Sequence, residues 1–389
     1  MLPYHRRFFC ESQPTFRSIS GETTRTLAQA TKKARQAILD EFVATTGYHR
    51  KHAVALLRGK RRHRDRSKPI RRPHKRIYTD EDKRAVLWLV KLFDYIASKR
   101  LRVAMDTELA SLFKRGDLQV SRACYQRLQH ISASTMDRLR RSQPHPYVRR
   151  RGGTKPGTLL KHHIPIRTFA DWDDKRPGFV EGDLVQHDGG NSSGDFACTL
   201  NVTDVATGWT EMRAVRNKAP KHVFAALQHI RSQMPFPLLG IDSDNGSEFI
   251  NDQLWRYCEQ EHLTFTRGRA GRKNDNPYVE GKNWSVVRRL VGYGRFDTQR
   301  QVDQLNALYA VYRLYVNHFL PVTKLQQKVR VGSRVKKVYD APKTPYQRVL
   351  DSPEVSESVK AKLRAEHAAL AVVKLKQQID RMSDVLFSE

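Results

Sequence analysis

Cysteine is scarce in this chain of 389 residues, and the four present, Cys10, Cys124, Cys198 and Cys258, are scattered. No C-x-x-C pair occurs, so neither a disulfide framework nor a cysteine zinc centre is readable, and a reducing compartment is expected. No stretch approaches the ~18 apolar residues of a membrane span. The segment Met1 to Arg25 lacks the continuous apolar run of a secretory signal. Acidic residues are also in short supply: 40 Asp and Glu stand against 71 Lys and Arg, a formal charge of +31 with pI about 10.2. Such an excess repels itself unless a polyanion relieves it, and nucleic acid is the usual polyanion. A ribosomal or membrane-surface protein could share that balance. With 39% hydrophobic residues, the expectation is a folded, soluble, cytoplasmic protein bound to DNA or RNA.

Along the chain, residues 1–26 read as a flexible, Arg-containing arm. Within 27–58, Ala34, Ala37, Ile38 and Phe42 fall at helical spacing and stop at Gly47, and a second short helix follows with basic residues outward. That is a helix-turn-helix pattern, and equally that of an ordinary helical hairpin. From Arg58 to Arg76 eleven Lys and Arg accompany one acid, Asp65. The run, with Arg61 and Arg62 in it, reads as a basic linker (59–78) that tracks phosphates or is simply solvated. A second helical, DNA-binding region is expected at 79–142. It opens at Thr79-Asp80, carries the apolar face Val86, Leu89, Val90, Phe93 and Ile96, and ends on a helix bearing Arg138 that starts at a Ser134/Asp137 capping box.

A Pro- and Gly-rich basic linker (143–176) then gives way to strand-like texture. Strands are expected at Phe179–His187, Phe196–Asp204 and Trp209–Val215, then a helix at Lys221–Ser232 and a strand at Leu238–Ile241. Helix Asn251–Glu261, strand Leu263–Thr266 and helix Pro277–Leu290 follow. The order β-β-β-α-β-α-β-α predicts an α/β domain over 177–298 whose first three strands form an antiparallel meander. A core-flanking helix at Gln301–Phe319 and a basic β-branched segment complete 299–350, and a C-terminal helix is expected over 351–389.

Two segments carry candidate chemistry. Ser243-Asp244-Asn245-Gly246 follows an apolar strand, a position suited to a metal ligand and also to an Asx turn. Asn276 and Pro277 start a helix that places Glu280 in its first turns, where a carboxylate also suits the helix dipole. Between Asp244 and Glu280 lie 35 residues.

That spacing resembles the D-x35-E half of the retroviral integrase and insertion-sequence transposase superfamily. The turn D-N-G-S-x-F, the segment V-T-D-V-A-T-G-W at Val202 to Trp209, and N-D-N-P-x-x-E with the residues after it are similar to a bacterial branch of DDE-type transposases. The likeness spans roughly 175 to 345. It implies a ribonuclease H-like integrase core with a mixed five-stranded sheet, preceded by an all-α region. It also implies a third carboxylate on the first strand. Asp183, within E-x-D-L-V-x-H, is preferred over Asp188, which begins a Gly-rich turn.

By the same resemblance, Asp183, Asp244 and Glu280 are both the catalytic residues and the ligands of Mg²⁺ or Mn²⁺. DNA strand cleavage and joining place negative charge on attacking and leaving oxygens, and two metal ions held by acids can stabilise both. The implied partners are DNA, as element ends and target, and further copies of the chain. The implied place is the bacterial nucleoid. Arg267, Arg269, Arg272 and Lys273 before Glu280, and Lys282, Arg288 and Arg289 after it, are expected to bind phosphates. His187, four residues beyond Asp183, is expected to be structural. A metal nuclease of the same fold and a catalytically silent DNA-binding repressor remain alternatives.

Overall fold

The structure, a computed structural model, describes residues 30–57, 77–141, 176–243, 248–249, 251–267, 277–331 and 334–388. The expected arm (1–26), nearly all of both linkers and the basic loop 268–276 lie outside them. The chain divides into two units, Met1–Arg76 and Ile77–Glu389.

In the first unit α1 (Lys32–Thr46) opens at Thr31, whose hydroxyl accepts from the Ala34 amide, and closes at Gly47 with φ of 67°. That left-handed residue favours glycine and stops the helix. After a short turn, α2 (Arg50–Leu57) buries Ala53 and Leu57.

The second unit is built on β1 (Phe179–Gln186), β2 (Cys198–Asp204), β3 (Thr210–Val215), β4 (Gly240–Ser243) and β5 (Thr264–Arg267), in the order β3-β2-β1-β4-β5. The first three strands form the expected antiparallel meander, with Asp183 opposite Asn201. On the other side of β1, β4 and β5 run parallel to it. Parallel strands need crossovers, and helices α7 (Pro220–Gln233) and α8 (Asp252–Gln260) supply them. This is the mixed five-stranded sheet of a ribonuclease H-like α/β core.

Period-two alternation gives the sheet two unlike faces. Val180, Leu184, Leu200, Val202 and Ile241 form one apolar core with Val223, Leu227 and Ile230 of α7 and Leu254 of α8. The opposite side carries the buried polar residues Glu181, His187, Thr199, Asn201, Thr203 and Asp242, together with Val185, Met212 and Ala214, which belong to a second apolar core. Two helical segments lie over that polar side. One is α9 (Pro277–Lys282), which runs through a π-helical turn at Asn283–Arg288 into α10 (Arg289–Val291); the other is α11 (Gln299–Phe319). Asn306 and Asn317 of α11 accept from the Ala214 and Thr210 amides of β3, edge groups that would otherwise be unpaired.

The region 79–142 forms α3 (Asp80–Leu92), α4 (Ser98–Lys114), α5 (Arg122–Gln129) and α6 (Ala133–Arg140). Its apolar face, with Val86, Leu89, Val90 and Phe93 all buried, shares one core with Leu305, Leu308 and Tyr312 of α11. Tyr315 Oη donates to the Leu92 carbonyl across 2.6 Å, so the helical block and the core helix are joined directly. The start of α6 corrects the sequence reading: Ser132, not Ser134, is the cap, its hydroxyl accepting from the Thr135 amide. Asp137 instead accepts from Ser98 Oγ of α4 at 2.6 Å. Two serines two residues apart compete for the same role, and the S-x-x-D signature selects the wrong one.

Beyond α11, β6 (Leu325–Val331) and β7 (Arg334–Tyr339) form a separate two-stranded sheet. The tail is α12 (Pro345–Asp351), α13 (Glu357–Ala369) and α14 (Val372–Phe387). Where one C-terminal helix is expected, extended backbone at Leu370 and Ala371 separates two. Val372, Leu375 and Ile379 of α14 pack into the core that α11 lines.

Candidate active site

Asp183 sits in the middle of β1, on the polar side of the sheet, and is half-buried. Its Oδ2 accepts from Asn283 Nδ2 at 2.5 Å, and its Oδ1 accepts from the Leu184 amide at 2.8 Å. Asn201, opposite it on β2, donates from Nδ2 to Asn283 Oδ1 at 2.7 Å. The three side chains form a line in which Asn201 orients Asn283 and Asn283 orients Asp183. Two residues before Asp183 on the same face, buried Glu181 accepts the Val279 amide at 3.0 Å. The first amides of a helix have no partner within it and carry partial positive charge, so a carboxylate there fixes the start of α9 on β1.

Glu280 follows Val279 in α9, one helical turn before Asn283. Of the three candidate carboxylates, Asp183 is described in full, Glu280 only through the backbone of α9, and Asp244 lies outside the described residues. β4 ends at Ser243, which pairs with Gly182, the residue before Asp183. Asp188 stands elsewhere: it is past the end of β1, its backbone bridges to Arg295, and its Oδ1 accepts the Gly190 amide at 3.1 Å.

His187 is bonded through one ring nitrogen, while its Nδ1 is buried with no hydrogen-bond partner among the described residues. Fully buried, it meets Thr199 Oγ1 through Nε2 at 2.7 Å, and Thr199 meets the Tyr309 hydroxyl at 2.7 Å. Burial, with the Arg288 charge adding to it, pushes its pKa down to about 3, so the ring is neutral.

The basic residues divide. Arg61, Arg62, Arg269, Arg272 and Lys273 lie outside the described residues. Arg138 is exposed on α6 and donates to Thr135 Oγ1 at 2.8 Å. Arg267, at the end of β5, is buried. Three others depart from the expected phosphate-facing role because they serve the protein itself. Lys282 directs its ammonium to the Gly208 carbonyl at 3.3 Å, and burial beside Arg100 and Arg348 pushes its pKa down to about 7. Arg288 donates to the Gln186 carbonyl at 2.6 Å and lies over the Tyr293 ring. Arg289 pairs with Asp94 at 2.8 Å, both side chains under 10% exposed, and lies near the Trp284 ring. The π turn supplies the physical reason. One extra residue in a helix rotates everything after it by about 100°, so i+7 and i+8 spacing from Glu280 no longer marks its face.

Hard oxygen donors suit Mg²⁺ or Mn²⁺. Asp183, half-exposed at the polar face, is such a donor, and Asn201 Oδ1 beside it is buried with no hydrogen-bond partner among the described residues. The donor chemistry on this face therefore fits a hard divalent cation.

No family model matches the sequence. The protein y4rM of Sinorhizobium fredii (strain NBRC 101917 / NGR234), itself described as uncharacterized, is 44% identical over 317 residues, which is 81% of this chain and 89% of that protein. The chain belongs to the y4rM family. Among solved structures, the chain is similar to the HTLV-2 integrase catalytic core domain in complex with magnesium, in its dimeric form. Identity is 16%, with 38% of this chain and 90% of that one covered, at a TM-score of 0.29. The catalytic core domain of BIV integrase gives 16% identity over 45% of this chain and 95% of that one, at a TM-score of 0.31. Strand order β3-β2-β1-β4-β5 and its register mark the ribonuclease H-like fold. Among the described residues, no helix is long and apolar enough to cross a membrane.

Proposed function

We propose that this y4rM-family chain is a DDE-type transposase, a polynucleotidyl transferase that cuts the ends of a DNA element and joins them to target DNA. The hydrogen bond from Asn283 to Asp183 is the observation that carries this reading, because it ties the helix bearing Glu280 to the strand bearing Asp183. Strand register supports the third member. Ser243, the residue before Asp244 in sequence, pairs with Gly182, the residue before Asp183. Asp183 is the preferred first carboxylate over Asp188, whose side chain is spent on its own turn.

Asp183, Asp244 and Glu280 would hold Mg²⁺ or Mn²⁺, which when bound stabilises negative charge on the attacking and leaving oxygens of a phosphodiester. Around them, Asn283 and Asn201 hold Asp183 in one orientation, and Glu181 holds the start of α9. The reaction is an in-line displacement. A water oxygen gives up a proton and bonds to phosphorus while the bond to the 3′ oxygen breaks and that oxygen takes up a proton. The freed 3′ hydroxyl then gives up its proton and bonds to a target phosphorus as the target's own 3′ oxygen leaves and takes one up. The high positive charge suits DNA as partner. Joining two ends to one target calls for more than one copy of the chain.

The test is a strand-transfer assay with purified protein, labelled DNA from the ends flanking the gene, and a target plasmid, in Mg²⁺, Mn²⁺ or EDTA. Metal-dependent joined product is expected. Cleavage without joining would make the chain a nuclease, and binding without either product would make it a repressor.

A further inference from the structure

The ribbon β6–β7 is a sheet of its own, unconnected to the five-stranded one. From Leu325 to Tyr339 the sequence holds Lys328, Arg330, Arg334, Lys336 and Lys337, and no acid. Arg330, Lys336 and Lys337 are exposed, and so are two large apolar side chains, Val335 at 52% and Tyr339 at 50%. An isolated two-stranded hairpin is marginal in water, so something must fix it.

Its foot is tied down. Asp340 accepts from the Lys324 amide at 2.6 Å and pairs with Arg348 at 2.7 Å. Lys324 Nζ donates to the Ala206 carbonyl at 3.0 Å. Ala206 belongs to the β2–β3 turn, and Gly208 of that same turn accepts from Lys282, at the end of α9. The ribbon therefore springs from the turn that also holds the helix bearing Glu280.

Cations on an open sheet edge have a simpler use, which is to prevent edge-to-edge pairing. A guard of that kind has no need of exposed Val335 and Tyr339 on the same strand as Lys336 and Lys337. Duplex DNA uses both kinds of group: phosphates take the cations, and sugars and groove walls take the apolar surface. A two-stranded ribbon also fits the major groove, about 12 Å wide.

We infer that β6–β7 grips duplex DNA where it leaves the candidate active site, with Arg330, Lys336 and Lys337 on phosphates and Val335 and Tyr339 against the groove wall. The choice of duplex DNA rests on the transferase reading.

The experiment measures binding of the full chain to a short labelled duplex of arbitrary sequence over a range of salt. Wild type is compared with Lys336→Glu/Lys337→Glu, Lys336→Arg/Lys337→Arg and Val335→Ser/Tyr339→Ser, each checked for an unchanged melting curve. The Glu pair should lose at least ~10-fold in affinity, with a salt slope shallower by about two, as expected for two lost phosphate contacts. The Arg pair should retain both, and the Ser pair should lose affinity with the slope kept. If the Glu pair fails to fold, Lys336→Gln/Lys337→Gln replaces it with the same expectation. Wild-type affinity and slope in the charge-altered pair would overturn the inference, as would a wild type that does not bind duplex. Metal-dependent nicking of a plasmid is followed in parallel. Ribbon-dependent binding without nicking would sink the transferase reading alone, and nicking with ribbon-independent binding would sink the ribbon alone.

Discussion

Asn283 donates its side-chain amide to Asp183 across 2.5 Å, joining the second turn of one helix to the middle of a β-strand. The bond crosses 100 residues of sequence and spans the polar face of the sheet. It makes Asn283 a positioning residue for whatever Asp183 binds.

Asn283→Ala should therefore lower plasmid nicking by about 10²-fold, the order of loss that follows from misplacing a reacting group by about 1 Å. DNA affinity should stay as in wild type, and the metal concentration at half-maximal activity should rise. Asn201→Ala, acting one step further back, should give a smaller loss of the same kind. A change in DNA affinity with unaltered metal dependence would place Asn283 in DNA contact instead.

The buried pair Arg289–Asp94 bears on stability rather than on DNA. Removing one member leaves the other charged and desolvated, a loss of roughly 3–5 kcal/mol. Arg289→Ala should lower the midpoint of urea unfolding sharply, and the folded protein should bind duplex as wild type does. Unchanged unfolding with weakened DNA binding would restore the phosphate-binding role expected from sequence.

His187 predicts an acid-side loss of stability. Its folded pKa, about 3, lies below the ordinary 6.5. The unfolded chain therefore takes up a proton as pH falls through 6.5 while the folded chain does not until about 3. Stability from this group is full above pH 6.5 and declines between 6.5 and 3. Unfolding midpoints measured from pH 7.5 down to about 4 should fall more steeply in wild type than in His187→Gln. Parallel slopes would remove His187 as the cause.

Much of the fold is legible in the chain because its signals are local. Alternation in Phe179–Gln186 and the apolar run before Ser243 mark strands, Pro277 marks a helix start, and Gly47 marks a helix end. The site is only partly legible. Asp183 stands out by its mid-strand position, and Glu181, two residues back on the strand, shares its face. Asn201 carries no such mark, because its role comes from pairing with β1 and from a helix distant in sequence. The π turn after Lys282 is equally silent, and it is what turns Arg288 and Arg289 away from the face that spacing assigns them. The union of the helical block with α11 depends on contacts such as Tyr315 to Leu92, more than 200 residues apart, which no local pattern encodes.

The decisive measurement is Mg²⁺- and Mn²⁺-dependent nicking of a supercoiled plasmid by wild type and by Asp183→Asn, Asp188→Asn, Asp244→Asn and Glu280→Gln, with duplex binding followed for each. Nicking should vanish in the Asp183, Asp244 and Glu280 variants while binding persists, and Asp188→Asn should remain within a few-fold of wild type. Activity surviving in Asp183→Asn and lost in Asp188→Asn would contradict a centre built where Asn283 meets Asp183.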